Sequence, residues 1–360
     1  LPSRVSPSWK AIASGGSPGR PKIIVTDTDG RADPVSGGYA FQQAADTILN
    51  PGPLYHNAAF SAAHQCLFAG GHVVNMERFD AETSLQLIDR HRVAYVMMVP
   101  TMMRRIWGLP EQVRDRYDLS SLRTLVHLGG PCPAWLKQSW IEWIGADRIW
   151  EIYAGTEGIG ATAIGGADWM AHRGSVGRPV GDTMMRILRP DLSECTPGET
   201  GEIYFRSAED GATGFRYIGT DVNMVDGWSS LGDLGHVDEA GFLYISDRRT
   251  DLIVSGGVNV YPAEVEAAID RYPGVRTSVV VRLPDDDLGN RVHAIVQIAP
   301  DRRLPIDQGA LGAFLGTLLA RYKIPRSFEF VTENLRDEAG KARRARFRED
   351  RIREASSKRA

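Results

Sequence analysis

The chain has 360 residues, of which 42% are hydrophobic and 24% are charged, so it can form two or three globular domains with a large buried core. A formal net charge of -3 and a pI near 6.3 argue against general binding to nucleic acid or to an anionic membrane surface. Three scattered cysteines without metal-ligand spacing favour a reducing, cytoplasmic location, and the longest apolar run, at 93–103, is too short for an integral membrane segment.

The first part of the chain alternates short β-branched runs with helical stretches. In chain order, the patterns predict a strand at 23–25, a helix at 84–91, strands at 95–99 and 122–128, and a helix at 134–144. Strands that alternate with helices are typical of a layered α/β domain with a largely parallel sheet.

The pattern changes twice further along the chain. From 174 to 244, short strands separated by Gly, Pro and Asp turns predict a smaller β-rich subdomain. A charged segment at 247–251 then precedes a stretch with predicted helices at 263–271 and 307–321 and predicted strands at 278–282 and 293–298. We therefore predict a layered α/β domain over residues 1–247 and a small α+β domain over residues 248–360, joined by a hinge at 248–251.

A basic run lies near the end of the chain, from Lys341 to Arg348, and is followed at once by Glu349 and Asp350. Mixed charges of this kind predict a solvated terminal helix. Lys341 follows Gly340 in this polar segment, where a lysine is normally a solvated charge.

One segment has residue types suited to binding phosphate. Residues 14–22 read Ser-Gly-Gly-Ser-Pro-Gly-Arg-Pro-Lys. Glycines let backbone N–H groups approach an anion, Ser14 and Ser17 add hydroxyl donors, and Lys22 adds positive charge. Taken alone, the pattern also fits a structural turn before a strand, and it lacks the Gly-Lys-Ser/Thr ending of the Walker motif.

Two further segments carry short acids at turns. Residues 153–158 place Thr156 beside Glu157, and a hydroxyl next to a carboxylate suits a site for phosphate and Mg²⁺. Residues 231–235 place Asp233 between glycines, where its carboxylate can accept hydrogen bonds from a ribose. In isolation, a strand-to-turn junction explains the Thr-Glu pattern better than a binding site does, whereas a plain Asp turn explains the second pattern equally well.

A Gly-Gly turn at 256–257 is followed by Pro262 and two glutamates, Glu264 and Glu266. Proline at the first position and acids in the first turn are typical of a helix start. This segment therefore predicts a tight turn that leads into a helix.

The order of these motifs is more specific than any one of them. It resembles the adenylate-forming superfamily, and in particular acyl-CoA synthetases of the fatty-acid or bile-acid (steroid) CoA ligase type. The resemblance extends over nearly the whole chain and rests on the loop ending at Lys22, Tyr-x-x-Thr-Glu at 153–157, Gly-Asp-x-Gly at 232–235, the Asp-Arg linker and the late Gly-Lys at 340–341.

The resemblance implies roles for individual residues. Nucleotide roles fall on Ser14, Ser17 and Lys22 (β- and γ-phosphates), Thr156 (phosphate), Glu157 (Mg²⁺), Gly129 and Gly130 (adenine side), Tyr153 (nucleotide-binding segment), and Asp233 and Arg248 (ribose). The remaining implied roles fall on His56 (gate of the acyl pocket), Lys341 (mobile lysine that bridges the carboxylate and ATP) and Gly256 (turn that replaces Lys341 in the second step).

The implied activity is that of an ATP-dependent acid–CoA ligase. Such an enzyme adenylates a hydrophobic carboxylic acid, releases pyrophosphate and then forms acyl-CoA and AMP, with ATP, Mg²⁺ and coenzyme A as cofactors. The small domain turns about the hinge between the steps. Segments 55–61 and 97–103 are rich in aromatic, Met and Ala residues that suit an apolar acyl group, although Met97 and Met98 are better explained as core.

Three departures from the family pattern leave alternatives open. Pro18 stands where the family usually has Ser or Thr, and Thr250 occupies the hinge position that is more often filled by Asp or Lys. The chain also starts only a few residues before the Gly-rich loop, so we expect it to be N-terminally truncated. The alternatives are an adenylation domain that loads a carrier protein and a non-catalytic nucleotide-binding remnant. The expected partners are small molecules, with a homodimer as a candidate assembly.

Overall fold

The computed structural model describes residues 5–14, 22–31, 40–207, 214–219, 222, 224–298, 306–337 and 340–357. The chain divides into two compact units: the first extends to Leu231 and includes His236–Tyr244, and the second comprises Gly232–Gly235 and the residues from Ile245 onward. Within the described ranges, no helix is both long and apolar enough to cross a membrane.

The strands and helices up to Arg248 follow in chain order. The strands are β1 (Ala11–Ser14), β2 (Lys22–Thr26), β3 (Thr47–Asn50), β4 (His72–Asn75), β5 (Tyr95–Met98), β6 (Thr124–His127), β7 (Ile149–Ala154), β8 (Ala161–Gly165), β9 (Arg178–Pro179), β10 (Thr183–Leu188), β11 (Gly201–Ser207), β12 (Phe215–Ile218), β13 (Met224–Val225), β14 (Trp228–Val237) and β15 (Leu243–Arg248). The helices are α1 (Asn57–Phe68), α2 (Ala81–Arg90), α3 (Pro100–Trp107), α4 (Glu111–Arg114), α5 (Ala134–Ile144) and α6 (Gly166–Ala171), with a 3₁₀ turn at Ala146–Arg148.

The main sheet has the strand order β4-β3-β5-β6-β7-β8-β9. Pairing is parallel from β4 to β7 and antiparallel from β7 to β9. The strands β5 and β6 are buried along their whole length, as expected for parallel strands with helices on both faces. This arrangement confirms the predicted α/β class.

Two apolar cores lie on opposite faces of this sheet. On one face, α1 packs Ala62 and Cys66 against Tyr95, Met97 and Val126. On the other face, α2, α3 and α5 pack against the sheet through a larger set, which includes Leu85, Ile88, Met98, Met102, Met103, Leu136 and Trp140. Met97 and Met98 are buried in these cores, so their predicted packing role is confirmed.

Short strands dominate the chain after α6, in agreement with the predicted change of pattern. A second sheet has the order β10-β11-β14-β13, with β15 paired to β14. A third sheet joins β1 and β2 to β12, which comes from a much later part of the chain. This last pairing brings residues of the β-rich region next to Lys22 at the start of β2.

The second unit contains β16 (Ile253–Ser255), β17 (Val258–Val260), α7 (Pro262–Ile269), β18 (Val275–Asp285), β19 (Gly289–Ile298), α8 (Gln308–Gly316), a 3₁₀ turn (Arg321–Lys323), β20 (Ser327–Val331) and α9 (Arg344–Ser357). A sheet of β18, β19 and β20 packs on α7 and α8. The helix predicted at 307–321 is too long: α8 ends at Gly316, where glycine and then Thr317 are weak helix formers.

The basic run near the end of the chain differs in part from the prediction. The helix α9 begins at Arg344, so Lys341 lies before it, in a loop. Arg346 is solvated, with a side chain that is 75% exposed. Arg344 is not: its guanidinium bonds to two carboxylates inside the unit, which corrects the expectation of a fully solvated helix.

A buried charged cluster connects α5, β6 and β7. The Lys137 ammonium donates to Glu151 Oε2 at 2.6 Å, and His127 Nε2 lies 3.7 Å from the same oxygen. Burial lowers the pKa of Lys137 and raises the pKa of Glu151. Neither ring nitrogen of His127 has a hydrogen-bond partner in the described part of the chain, and burial together with the Lys137 charge holds the pKa of His127 well below its usual value.

His127 is expected to make the fold sensitive to mild acid. The ordinary pKa of histidine is 6.5, and the pKa of His127 in the folded chain is well below it. As pH falls through 6.5, the unfolded chain therefore binds a proton at this position and the folded chain does not, so the free energy of unfolding falls. The slope from one such group approaches about 1.4 kcal/mol per pH unit. When the free energy of unfolding is measured by urea denaturation between about pH 7.5 and 5, it should depend less steeply on pH in His127→Asn than in the parent. His72→Asn removes an exposed imidazole. If it reduced the pH dependence of the free energy of unfolding by the same amount, this explanation would be contradicted.

Candidate active site

Several predicted site residues follow the carboxyl ends of neighbouring parallel strands. His56 lies in the loop after β3 and is the N-cap residue of α1. Gly129 and Gly130 follow β6, and Thr156 and Glu157 follow β7. Since β3, β5, β6 and β7 are adjacent and parallel, these loops lie along one edge of the sheet, where open α/β sheets bind ligands.

Lys22 and Glu157 are in direct contact at this edge. Lys22 Nζ lies 3.4 Å from Glu157 Oε1, and the glutamate side chain is only 11% exposed. The Tyr217 hydroxyl donates to the same oxygen at 2.7 Å, and the Lys22 ammonium lies 3.8 Å from the Tyr217 ring centroid. Burial and the neighbouring carboxylate raise the pKa of Tyr217 above its usual value. The cluster therefore holds one carboxylate, one ammonium and one neutral hydroxyl.

Gly155 allows the Glu157 side chain to take this position. A Cβ atom at residue 155 would lie 2.8 Å from Glu157 Oε2 and 2.7 Å from a methyl carbon of Leu231. Gly129, at the end of the neighbouring loop, has φ of +85°, a conformation that favours glycine. Tyr153 lies within β7 and contacts Phe205, with ring centroids 5.9 Å apart.

The donor set at Glu157 fits Mg²⁺ held jointly with a nucleotide. Mg²⁺ is usually bound by one or two carboxylates together with substrate phosphates. Glu157 supplies one carboxylate and Thr156 follows β7 beside it, whereas no group of three or more His, Cys, Asp or Glu side chains among the described residues could enclose a metal ion. In the structure, the positive charge beside Glu157 Oε1 is the Lys22 ammonium.

Two predicted ribose-binding residues form an ion pair. Arg248 Nε lies 3.2 Å from Asp233 Oδ1, and both residues belong to the second compact unit. The Asp233 side chain is nearly buried, whereas that of Arg248 is mostly exposed. A buried carboxylate beside an exposed guanidinium can accept hydrogen bonds from a diol while the cation stays available to an anion.

The remaining predicted residues of the second unit lie on turns. Gly256 and Gly257 connect β16 to β17 with φ of +56° and +80°, as a two-residue hairpin of the type that requires positive φ at both positions. Lys341 is exposed in the loop before α9.

The structure thus brings Lys22 and Glu157 together and pairs Asp233 with Arg248. Ser17 and the side chain of Ser14 lie outside the described residues, as does Pro18. Sequence reasoning missed Tyr217, because it lies on a strand distant in sequence from both of its partners and belongs to none of the motifs. Only the pairing of β2 with β12 places it in the cluster.

Replacing Glu157 tests the cluster. Glu157→Gln keeps the shape but removes the charge, so we expect adenylation at fixed ATP to fall about 100-fold and its dependence on Mg²⁺ concentration to shift to higher values. Pyrophosphate release titrated with Mg²⁺ measures both effects. Tyr217→Phe is the matched control because it removes only one hydrogen bond to the same oxygen, and its loss should stay below about tenfold. Equal losses in both variants would speak against a metal-binding role.

A parallel sheet whose carboxyl edge carries a Gly-Gly turn, a Thr-Glu loop and a lysine is an arrangement typical of nucleotide-binding α/β enzymes. The chain belongs to the AMP-binding enzyme family, whose model matches residues 12–213. This confirms the predicted family.

Relatives of known activity are acid–CoA ligases, which confirms the predicted enzyme class at the level of the family. The chain is 32% identical to the 2-succinylbenzoate–CoA ligase of Bacillus pumilus over 93% of its own length and 67% of the relative. It is 36% identical to a feruloyl-CoA synthase of Amycolatopsis over 88% of its own length and 65% of the relative. The chain therefore spans about two thirds of the length of these relatives.

A solved structure agrees with this assignment. The o-succinylbenzoate CoA synthetase of Bacillus subtilis, in complex with its acyl-adenylate intermediate, matches with a TM-score of 0.78 and 28% identity, over 94% of this chain and 68% of that one. The same synthetase has also been solved with ATP and a magnesium ion, with a TM-score of 0.77.

Proposed function

We propose that the chain acts as an ATP-dependent acid–CoA ligase that adenylates a hydrophobic carboxylic acid and passes the acyl group to coenzyme A. The observation that carries the proposal is the Lys22–Glu157–Tyr217 cluster at the carboxyl edge of a sheet that matches an acyl-adenylate-forming synthetase. The relatives named above are a CoA ligase and a CoA synthase, which supports coenzyme A as the acceptor.

The residues have separable tasks in the first step. A carboxylate that attacks the α-phosphate brings two anions together, so positive charge must stand where negative charge accumulates. In the proposal, Lys22 exchanges its contact with Glu157 for phosphate oxygens. Lys341 supplies a second ammonium. Mg²⁺ at Glu157, when bound, neutralises the charge on the phosphates. In the proposal, Asp233 and Arg248, which form an ion pair, hold the ribose.

The acid is proposed to be largely apolar. Segment 55–61 contributes the mostly exposed Tyr55, which contacts the ring of His56, and Phe60, which contacts the ring of Trp9. Aromatic side chains beside a gating histidine suit a ring or an alkyl chain better than a charged group. The relatives named above act on aromatic acids, and fatty and steroid side-chain acids complete the set to be tested.

The test is an acid panel. The protein is mixed with ATP, Mg²⁺ and, in turn, 2-succinylbenzoate, ferulate, a long-chain fatty acid and a steroid side-chain acid, and pyrophosphate release is followed with and without coenzyme A. Acid-dependent release, with acyl-CoA formed only when coenzyme A is present, is the expected result. Acyl-adenylate that accumulates with coenzyme A present but transfers to a carrier protein would identify a carrier-loading enzyme instead. If ATP binds but no acid causes release, the chain is a nucleotide-binding protein without ligase activity.

A further inference from the structure

The backbone of Lys341 and Gly340 is bonded to Asp337, three to four residues earlier. We call residues 337–343 the lysine loop; residues 338 and 339 lie outside the described part of the chain. The Lys341 N–H donates to Asp337 Oδ1 at 2.9 Å, and the Asp337 N–H donates back to the Lys341 carbonyl at 3.0 Å. Gly340 has φ of +75° and donates to the Asp337 carbonyl. These bonds fix the backbone of Lys341, while its side chain stays exposed.

One buried carboxylate binds an arginine on each side of this loop. Arg336 Nη2 lies 2.9 Å from Glu266 Oε2, and Arg344 Nη2 lies 2.8 Å from the same oxygen. Arg344 also donates to Glu266 Oε1 through Nε at 3.1 Å and through Nη2 at 2.9 Å. Glu266, on α7, is only 3% exposed, and its Oε1 also accepts from the backbone N–H of Val280 at 2.8 Å.

Both arginines make second contacts that extend this arrangement. Arg336 Nη1 donates to the carbonyl of Gly340, inside the lysine loop, at 3.2 Å. Arg344 Nη1 donates to Asp251 Oδ2 at 2.9 Å, so α9 is bonded to the end of the 248–251 segment. Glu266 therefore connects the lysine loop, α7 and that segment through charge-assisted hydrogen bonds.

Because the Glu266 carboxylate is buried, its bonds restrict the positions of both arginine side chains. An exposed ion pair is screened by water and holds its partners weakly, whereas a buried carboxylate with two guanidinium partners strongly restricts both side chains. If Glu266 loses its charge, Arg336 and Arg344 keep their positive charges in a poorly hydrated place and move away from each other. The two ends of the lysine loop are then no longer held to one point.

We propose that Glu266 is a positioning residue for Lys341: it holds the two ends of the lysine loop through Arg336 and Arg344, so that the ammonium enters the adenylation site from a fixed backbone. The proposal rests on the proposed function, in which Lys341 acts in adenylation. Glu266 itself touches no substrate in this scheme.

Amide hydrogen exchange of the full chain tests the clamp without any need for activity. In Glu266→Gln, the backbone amides of Gly340 and Lys341 should exchange at least about tenfold faster than in the parent, while those in the β18–β19 pairing stay protected. Glu329→Gln is the matched control because Glu329 holds Arg351 through two comparable bonds, of 2.9 and 2.7 Å, in the same unit. It should leave the lysine-loop amides unchanged.

Measuring adenylation and acyl transfer separately distinguishes a positioning role of Glu266 from a purely structural one. Glu266→Gln should lower the turnover of acid-dependent pyrophosphate release about 10- to 100-fold with little change in the KM for ATP, because a misplaced reacting group costs rate rather than ground-state binding. Formation of acyl-CoA from supplied acyl-adenylate should stay within about threefold of the parent, since Lys341 has no task in that step. A purely structural role would lower both half-reactions together.

A second variant keeps the test decisive if Glu266→Gln does not fold. Arg336→Lys leaves a cation for Glu266 but removes the guanidinium bonds to the Gly340 carbonyl, the Thr277 hydroxyl and the Ser278 carbonyl. The lysine-loop amides should therefore again exchange faster, and adenylation should slow. Unchanged exchange in the lysine loop of the folded variants overturns the proposal. If the parent itself adenylates no acid, the proposed function fails, and amide exchange alone still decides whether Glu266 holds the loop.

Discussion

Lys341→Ala is expected to reduce acid-dependent pyrophosphate release by about 100-fold or more, because in the proposed function the variant loses the ammonium that meets the developing negative charge at the α-phosphate. Single donors to such charge are typically worth about 100- to 1000-fold in turnover. The measurement is steady-state pyrophosphate release with a saturating acid found in the panel. Conversion of supplied acyl-adenylate to acyl-CoA should stay close to the parent rate.

Arg343→Ala is the matched control for this variant. Arg343 is an exposed cation two residues further on, and its removal changes the net charge by the same amount. Its activity should remain within about twofold of the parent, because an exposed charge is screened by water and salt. Equal losses in the two variants would mean that general electrostatic attraction of the nucleotide, rather than a specific ammonium, carries the effect.

Lys137→Met is expected to lower the free energy of unfolding by about 3–5 kcal/mol, because it leaves the Glu151 carboxylate buried without its cation. Lys137 is completely buried and lies 2.6 Å from Glu151. In a buried pair of this kind, removal of one partner strongly lowers the free energy of unfolding. Urea denaturation followed by circular dichroism measures the change. The linear-extrapolation slope should stay constant if only the stability of the folded state has changed.

The double variant Lys137→Met/Glu151→Leu separates charge burial from packing. Removing both charges together replaces the ion pair by apolar side chains of similar volume, which is often neutral or stabilising. We therefore expect the double variant to recover most of the stability that Lys137→Met loses. A double variant as unstable as the single one would show that the fold requires the pair itself, and the explanation based on an uncompensated charge would be wrong.

The sequence predicted those parts of the fold that depend on local pattern. The alternation of β-branched runs with amphipathic stretches anticipated the parallel strands β5 and β6 and the helix α5, within a few residues at each end. The loops with Gly129, Thr156 and Glu157 were found because motif order along the chain becomes spatial order along a parallel sheet. The roles of the individual site residues stay predictions.

Long-range partners were not accessible from the sequence in the same way. Lys137 resembles an ordinary helix-surface lysine, and nothing near it in sequence indicates that Glu151 lies beneath it. Arg344 belongs to a run of arginines, and its ion pairs with Glu266 and Asp251 distinguish it from the solvated Arg346. The bonds of Tyr217 to Glu157, of Arg336 to Glu266 and of Arg344 to Glu266 likewise join residues 60, 70 and 78 positions apart in the sequence.

The contact between Lys22 and Glu157 also bears on the order in which ligands are loaded. With Lys22 Nζ at 3.4 Å from Glu157 Oε1, the carboxylate has a positively charged partner, so a free divalent ion would meet little net negative charge there. If Glu157 holds the metal as proposed, a metal ion bound to a polyphosphate would bring an anion that Lys22 could bind, and the carboxylate would then be available to the metal. We therefore expect the metal and the nucleotide to enter as one complex, with little affinity for the metal alone.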